Sequence, residues 1–126
     1  LAPVTLAELS HRHHEGVVVV KHKILMIGRV PAGNEPKIAE VFGEHDATSL
    51  PREIGAQRRV LYSFRGLYVH LVEAEQDFSQ KLYENRTHPL FQETNRRMAD
   101  LITPYDPAFP TMRDAQAKPF YVWEAE

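Results

Sequence analysis

The 126-residue sequence predicts an α+β fold of the ferredoxin-like kind, with elements ordered β-α-β-β-α-β around one four-stranded antiparallel sheet. Three observations carry this expectation. Residues 56–64 and 67–73 alternate in character on either side of Arg65-Gly66, a tight-turn signal, and so read as a hairpin. Ile38, Val41 and Phe42 recur with a helical period behind a strand-like apolar stretch. A second helical region runs from Pro89 and precedes an aromatic-rich final strand, Phe120-Tyr-Val-Trp123.

Taken in order, residues 1–16 read as an N-terminal extension, and residues 17–126 as the folded domain. Within the extension, Thr5-Leu-Ala-Glu8 suits one short helical turn capped by Thr5. Residues 17–30 are rich in Val, Ile, Leu and Met and make the first strand, ending at Pro31-Ala-Gly33. Asn34 is placed to cap the helix over residues 36–44, with Pro36 in its first turn. A loop centred on Thr48-Ser49-Leu50-Pro51 leads to the hairpin. There Arg59, Leu61 and Ser63 share one face of the first strand, and Arg58, Val60, Tyr62 and Phe64 the other. The second hairpin strand places Tyr68, His70 and Val72 together. Phe78, Leu82 and Tyr83 suggest a short helix, and Pro89 opens a longer one reaching about Leu101. Pro104, Pro107 and Pro110 then impose a long non-helical connection. Helices cover only one face of such a sheet, so two copies are expected to pack sheet to sheet as a homodimer.

Composition excludes several function classes. Fifteen Lys and Arg nearly balance seventeen Asp and Glu, for a formal charge of -2, so no basic footprint suggests nucleic acid or a membrane surface. Apolar runs such as residues 17–20 are far too short to span a bilayer. Cysteine is absent, which removes disulfides, thiolate nucleophiles and thiolate metal sites and fits a cytoplasmic protein. No segment has the pattern of a leader, although a first residue of Leu leaves room for one already removed. No glycine-rich phosphate loop, nucleophile elbow or zincin signature is present. His11, His13 and His14 invite a metal reading, but no ligand cluster repeats at a recognisable spacing.

Four residues stand out as chemistry placed among core-forming elements. His45, near the end of the first helix, could move a proton; the helix C-terminus and neighbouring Asp46 are expected to raise its pKa. The plainer alternative is a histidine making a local capping contact. Asp46 could orient His45, accept a bond from a substrate, or satisfy loop N–H groups. Arg59 shares a face with Leu61, where a guanidinium must be paired or meet a polar pocket. It would stabilise enolate or alkoxide charge there, unless it forms an edge or interface salt bridge. His70 in mid-strand is either a proton-transfer group or a satisfied core histidine. Tyr62, Tyr68, Tyr83, Phe64, Phe91, Phe120 and Trp123 could wall a flat ligand or simply fill a core. Arg65 and Glu73 read as solvent-facing, and His88 before Pro89 as a helix-start or turn residue.

Several motifs in succession resemble the tetracenomycin-type aromatic polyketide cyclases, small bacterial enzymes of polyketide biosynthesis. They are Phe42-Gly-Glu-His-Asp46, Leu50-Pro51, Ile54-Gly55, Arg58-Arg59-Val60-Leu61, Leu67-Tyr-Val-His-Leu-Val-Glu-Ala74, His88-Pro-Leu-Phe-Gln-Glu93, Leu101-Ile-Thr-Pro-Tyr105 and Phe120-Tyr-Val-Trp123, and they span roughly residues 23–125. The resemblance implies a dimeric α/β-barrel with a pocket between sheet and helices, ring closure of a poly-β-ketone, and no metal, flavin or nicotinamide cofactor. It assigns the pocket histidine and aspartate to His45 and Asp46, the strand arginine to Arg59 and the strand histidine to His70. The implied partner is an aromatic polyketide intermediate, with contact to a polyketide synthase or acyl carrier protein left open. The expected reaction is an intramolecular aldol condensation followed by dehydration. A cofactor-free anthrone-type monooxygenase and a non-enzymatic small-molecule-binding dimer are the alternatives that share such a fold.

Overall fold

The computed structural model describes residues 22–125. The extension with its three histidines, the proposed turn at Thr5 and residues 17–21 of the expected first strand lie outside the described residues. The first strand, β1, is His22–Arg29. Helix α1 (Glu35–Asp46) follows, then a short helix α2 (Leu50–Ile54), β2 (Ala56–Phe64) and β3 (Leu67–Ala74). Helices α3 (Ser79–Glu84) and α4 (Pro89–Ala99) precede two very short strands, β4 (Thr103–Pro104) and β5 (Gln116–Ala117). The sheet is antiparallel in the order β2-β3-β1-β4, with β5 also on β1, which is the expected ferredoxin-like α+β arrangement.

Each connection has a local cause. Arg65 and Gly66 both take positive φ, +48° and +84°, so the hairpin closes through the type I′ turn whose twist suits antiparallel strands. Gly55 ends α2 at φ +109°, and its N–H donates to the carbonyls of Pro51 and Arg52. That left-handed cap lets the chain reverse directly into β2. Pro89 opens α4, and His88 caps it by accepting the Leu90 N–H at Nδ1 over 3.1 Å.

Three expectations about the elements need correction. The loop predicted around Thr48-Ser49-Leu50-Pro51 contains α2, because Pro51 sits in a helical first turn and buried Leu50 and Ile54 give the segment an inward side. Asn34 stands at the start of α1 without capping it; its amide instead donates to the Leu101 carbonyl, tying α1 to the end of α4. The aromatic segment at residues 120–123 is not a strand among the described residues. The edge of β1 is already occupied by Thr103–Pro104 and Gln116–Ala117, and Phe120, Tyr121, Val122 and Trp123 stand exposed.

Two apolar clusters hold the helices on the sheet. One joins Val30, Ile38, Val41, Tyr68 and Met98; the other joins Leu50, Ile54, Val72, Ala74 and Phe78. Each large side chain buried in this way contributes about 1.5–3 kcal/mol. An Arg97–Glu44 ion pair at 2.8 Å adds a bridge between α4 and α1. Glu73 contradicts the solvent-facing expectation. It is buried on the sheet face away from the helices, where Arg58 lies across it and supplies the partner a buried carboxylate needs.

Candidate active site

The register of the sheet assembles the site. On the helix-covered face, His70 lies between Met26 of β1 and Leu61 of β2. Tyr68 lies between Gly28 and Ser63, and Val72 between Ile24 and Arg59. A bulge near Gln57 precedes the regular pairing of β2, after which Arg59 points inward and Arg58 outward as alternation demands. Their side chains are 14% and 62% exposed. Gly28 matters to this packing: a Cβ there would approach the Thr103 carbonyl oxygen to 3.1 Å and the Tyr68 ring to 3.5 Å.

Between this face and the helices lies a cavity of about 450 Å³, within the range of roughly 300–1,000 Å³ that holds drug-sized ligands. Ile24, Met26, Ile54, Val72, Phe78 and Phe91 give it apolar walls. His45, Arg59, Tyr68, His70, Thr94 and Asn95 supply polar ones. Of the aromatics expected to wall a ligand, Tyr68 and Phe91 do so. Tyr62, Phe64, Tyr83, Phe120 and Trp123 are exposed elsewhere, and Phe42 and Phe78 take their place.

Arg59 is the hub. Its Nε–H donates to both Asp46 carboxylate oxygens at 3.1 and 3.0 Å, and Nη2 donates to Oδ1 at 2.9 Å. Nη1 lies 2.7 Å from His70 Nε2, and the guanidinium carbon sits 4.5 Å above the Phe42 ring. A guanidinium carries five N–H groups. The contacts to Asp46 and His70 leave one N–H on each Nη free of them. Among the described residues the Asp46 carboxylate thus accepts from Arg59 and makes no hydrogen bond to His45.

The histidines differ in what their hydrogen bonds allow. Arginine can only donate, so His70 Nε2 accepts and its Nδ1 carries the proton, directed at the Tyr68 hydroxyl 3.1 Å away. Both ring nitrogens are engaged. Burial first, and then the Arg59 charge, lower the His70 pKa to about 3, so the ring is neutral. His45 Nδ1 lies 3.0 Å from Thr94 Oγ1, whose own proton goes to the Leu90 carbonyl at 3.0 Å. The hydroxyl must then accept from His45 Nδ1–H, which leaves Nε2 with a lone pair. Burial and the Arg59 charge lower the His45 pKa, with Asp46 opposing them. The rise expected from the helix terminus and Asp46 is thus reversed, because burial desolvates the ring and the Arg59 charge acts in the same direction, together outweighing Asp46.

Sequence reading brought His45, Asp46, Arg59 and His70 to one place and missed the roles of Thr94 and Tyr68. Thr94 carried one usable signal, a hydroxyl residue four positions after Leu90 in a helix, the spacing for bonding back to a carbonyl. Nothing in the linear spacing places that hydroxyl against His45.

The chain has relatives among known proteins. The family described as polyketide synthesis cyclase matches residues 22–124. The chain belongs to that family. The chain is 44% identical over 104 residues to tetracenomycin F2 cyclase of Streptomyces glaucescens, covering 82% of this chain and 95% of that protein. It is 30% identical over 106 residues to polyketide synthase CurG of Streptomyces cyaneus, covering 83% and 99%. The solved structure of the S. glaucescens enzyme, described as a type-II polyketide cyclase, superposes with a TM-score of 0.79 at 43% identity. That match covers 84% of the present chain and all of the other. The cyclase is accordingly an enzyme of polyketide biosynthesis with an α+β ferredoxin-like fold. No helix among its described residues is long and apolar enough to cross a membrane.

Proposed function

We propose that this cyclase closes a ring of an aromatic polyketide intermediate by intramolecular aldol condensation followed by loss of water. One observation carries the reading: a histidine whose Nε2 has no hydrogen-bond partner among the described residues, and an arginine with N–H groups beyond those held by Asp46 and His70, line the same largely apolar cavity. A methylene between two carbonyls needs only a modest base, since both carbonyls spread the resulting charge. His45 Nε2 removes that proton. Its lowered pKa keeps the imidazole unprotonated near neutral pH. Arg59, aimed by Asp46, donates to the enolate oxygen. The enolate carbon attacks a ketone of the same chain, and the new alkoxide takes the proton held on His45. A second proton abstraction, with transfer to the departing hydroxyl, expels water and aromatises the ring. The walls fold the chain so that one carbon meets one carbonyl, which converts a flexible reaction into an oriented one. His70 holds Arg59 and stays neutral throughout.

The reading includes a cytoplasmic homodimer. The dimer is supported by the sheet face away from the helices, where Leu25-Leu71-Val60 and Ile27-Val69-Tyr62 form apolar rows with Tyr62 and Phe64 exposed. The test of the reaction is to incubate the enzyme with a partly cyclised polyketide, with and without oxygen, and weigh the product. The expected product has lost water at the same rate in both atmospheres. A product that has gained oxygen, formed only in air, contradicts the aldol reading.

A further inference from the structure

We infer that Tyr68 is a catalytic residue whose phenolic O–H donates to the electrophilic ketone of the substrate, at the end of a directed chain from Arg59 through His70. This role rests on the ring-closing reading above. The direction of the chain follows from what each group can do. Arg59 Nη1 can only donate, so His70 Nε2 accepts at 2.7 Å. The neutral ring then has its single N–H on Nδ1, and this donates to Tyr68 Oη at 3.1 Å. The hydroxyl oxygen is thereby an acceptor toward His70, and its own proton must point elsewhere. Among the described residues it has no second hydrogen-bond partner, and Tyr68 lines the cavity.

Three features fit a donor aimed at a ligand. Tyr68 is buried, with its ring fixed between the Gly28 and Ser63 positions of the neighbouring strands. Burial pushes its pKa well above the ordinary tyrosine value, so it keeps its proton and stabilises charge rather than surrendering it. The N–H arriving from His70 polarises the O–H outward, as successive bonds in a chain do. The proton balance of the reaction is unchanged. As the carbon–carbon bond forms, the carbonyl π pair moves onto oxygen, Tyr68 donates a hydrogen bond to that oxygen, and the proton that finally neutralises it comes from His45. Arg59 and Tyr68 thus serve different oxygens, the nucleophile's and the electrophile's.

The test compares wild type with Tyr68→Phe, which removes one oxygen and keeps the ring. Anaerobic ring closure is followed with a partly cyclised polyketide, and ¹⁵N NMR reads which nitrogen of His70 carries the proton. The expectation is an Nδ1–H tautomer in wild type, with kcat about 10²-fold lower in Tyr68→Phe and KM within about three-fold of wild type. An Nε2–H tautomer overturns the inference, because the hydroxyl would then be donating to His70. Ring closure by Tyr68→Phe within about two-fold of the wild-type kcat overturns the donor role alone. Absence of ring closure in wild type overturns the reaction reading and this role with it.

Discussion

On the face of β2 and β3 that the helices cover, Arg59, Tyr68 and His70 stand where an interior would hold aliphatic side chains. On the opposite face, Val60, Tyr62, Phe64, Val69 and Leu71 stand where a solvated sheet would carry polar ones. The two faces come from alternate residues of the same strands, so neither is an accident of composition. Polar groups indoors are tolerable because they satisfy one another: no described buried side-chain nitrogen or oxygen lacks a partner. Apolar groups outdoors are tolerable when something covers them. On the proposed reading one face serves a ligand and the other a second copy of the chain, and substitutions on the two should fail in different ways.

The largest expected effect is Arg59→Ala on the inner face. It removes the donor and leaves Asp46 and His70 without their partner, so anaerobic ring closure should slow by about 10³-fold. His45→Ala should cost about 10²-fold in kcat, the low end for a general base, since the methylene is already acidic. Both are read by product mass against time. A charged pair on the outer face, Tyr62→Lys with Phe64→Lys, should leave the inner hydrogen bonds intact and shift sedimentation from dimer to monomer. If that variant remains a dimer while the cavity is undisturbed, the face-to-face arrangement is wrong.

Smaller effects sharpen the contrast through protonation. His70 is neutral in the folded state down to a pKa of about 3, against an ordinary value of 6.5. Between those values the unfolded chain binds a proton that the folded chain refuses. Stability is therefore full above pH 6.5 and falls as the pH drops toward 3, by about 1.4 kcal/mol per unit at most. Denaturant titrations of His70→Gln should show a shallower fall over the same window. Thr94→Val should retain the fold and lower kcat by about ten-fold, because the His45 tautomer is no longer imposed.

Much of this was legible before any coordinates. Alternation put Arg58 and Arg59 on opposite faces and Tyr68 beside His70, because a strand allows only two directions, and the family resemblance chose Arg59 as the one facing the pocket. Arg65-Gly66 announced its turn through the positive φ values it needs. What escaped depends on partners distant in sequence. His45 meets Thr94 from another helix, Asn34 bonds Leu101 rather than its own helix, and Glu73 is buried only because Arg58 crosses it. The end of the sheet escaped for a related reason. Strand propensity favoured the aromatics at residues 120–123, whereas the free edge of β1 was taken by Thr103–Pro104 and Gln116–Ala117, which carry little strand signal. The sign of the His45 shift was hidden because burial of the ring and the approach of Arg59, which outweigh the neighbouring Asp46, are tertiary facts.

The central claim is that His45, desolvated and held in one tautomer, is the base that starts ring closure. The pH profile of anaerobic kcat/KM tests it most directly, in wild type and His45→Ala. The account predicts an acid limb below pH 6.5, the ordinary histidine value, since burial and Arg59 depress the group, and predicts that this limb disappears from the residual activity of the variant. A limb at or above pH 6.5, or one that survives the loss of His45, would contradict it.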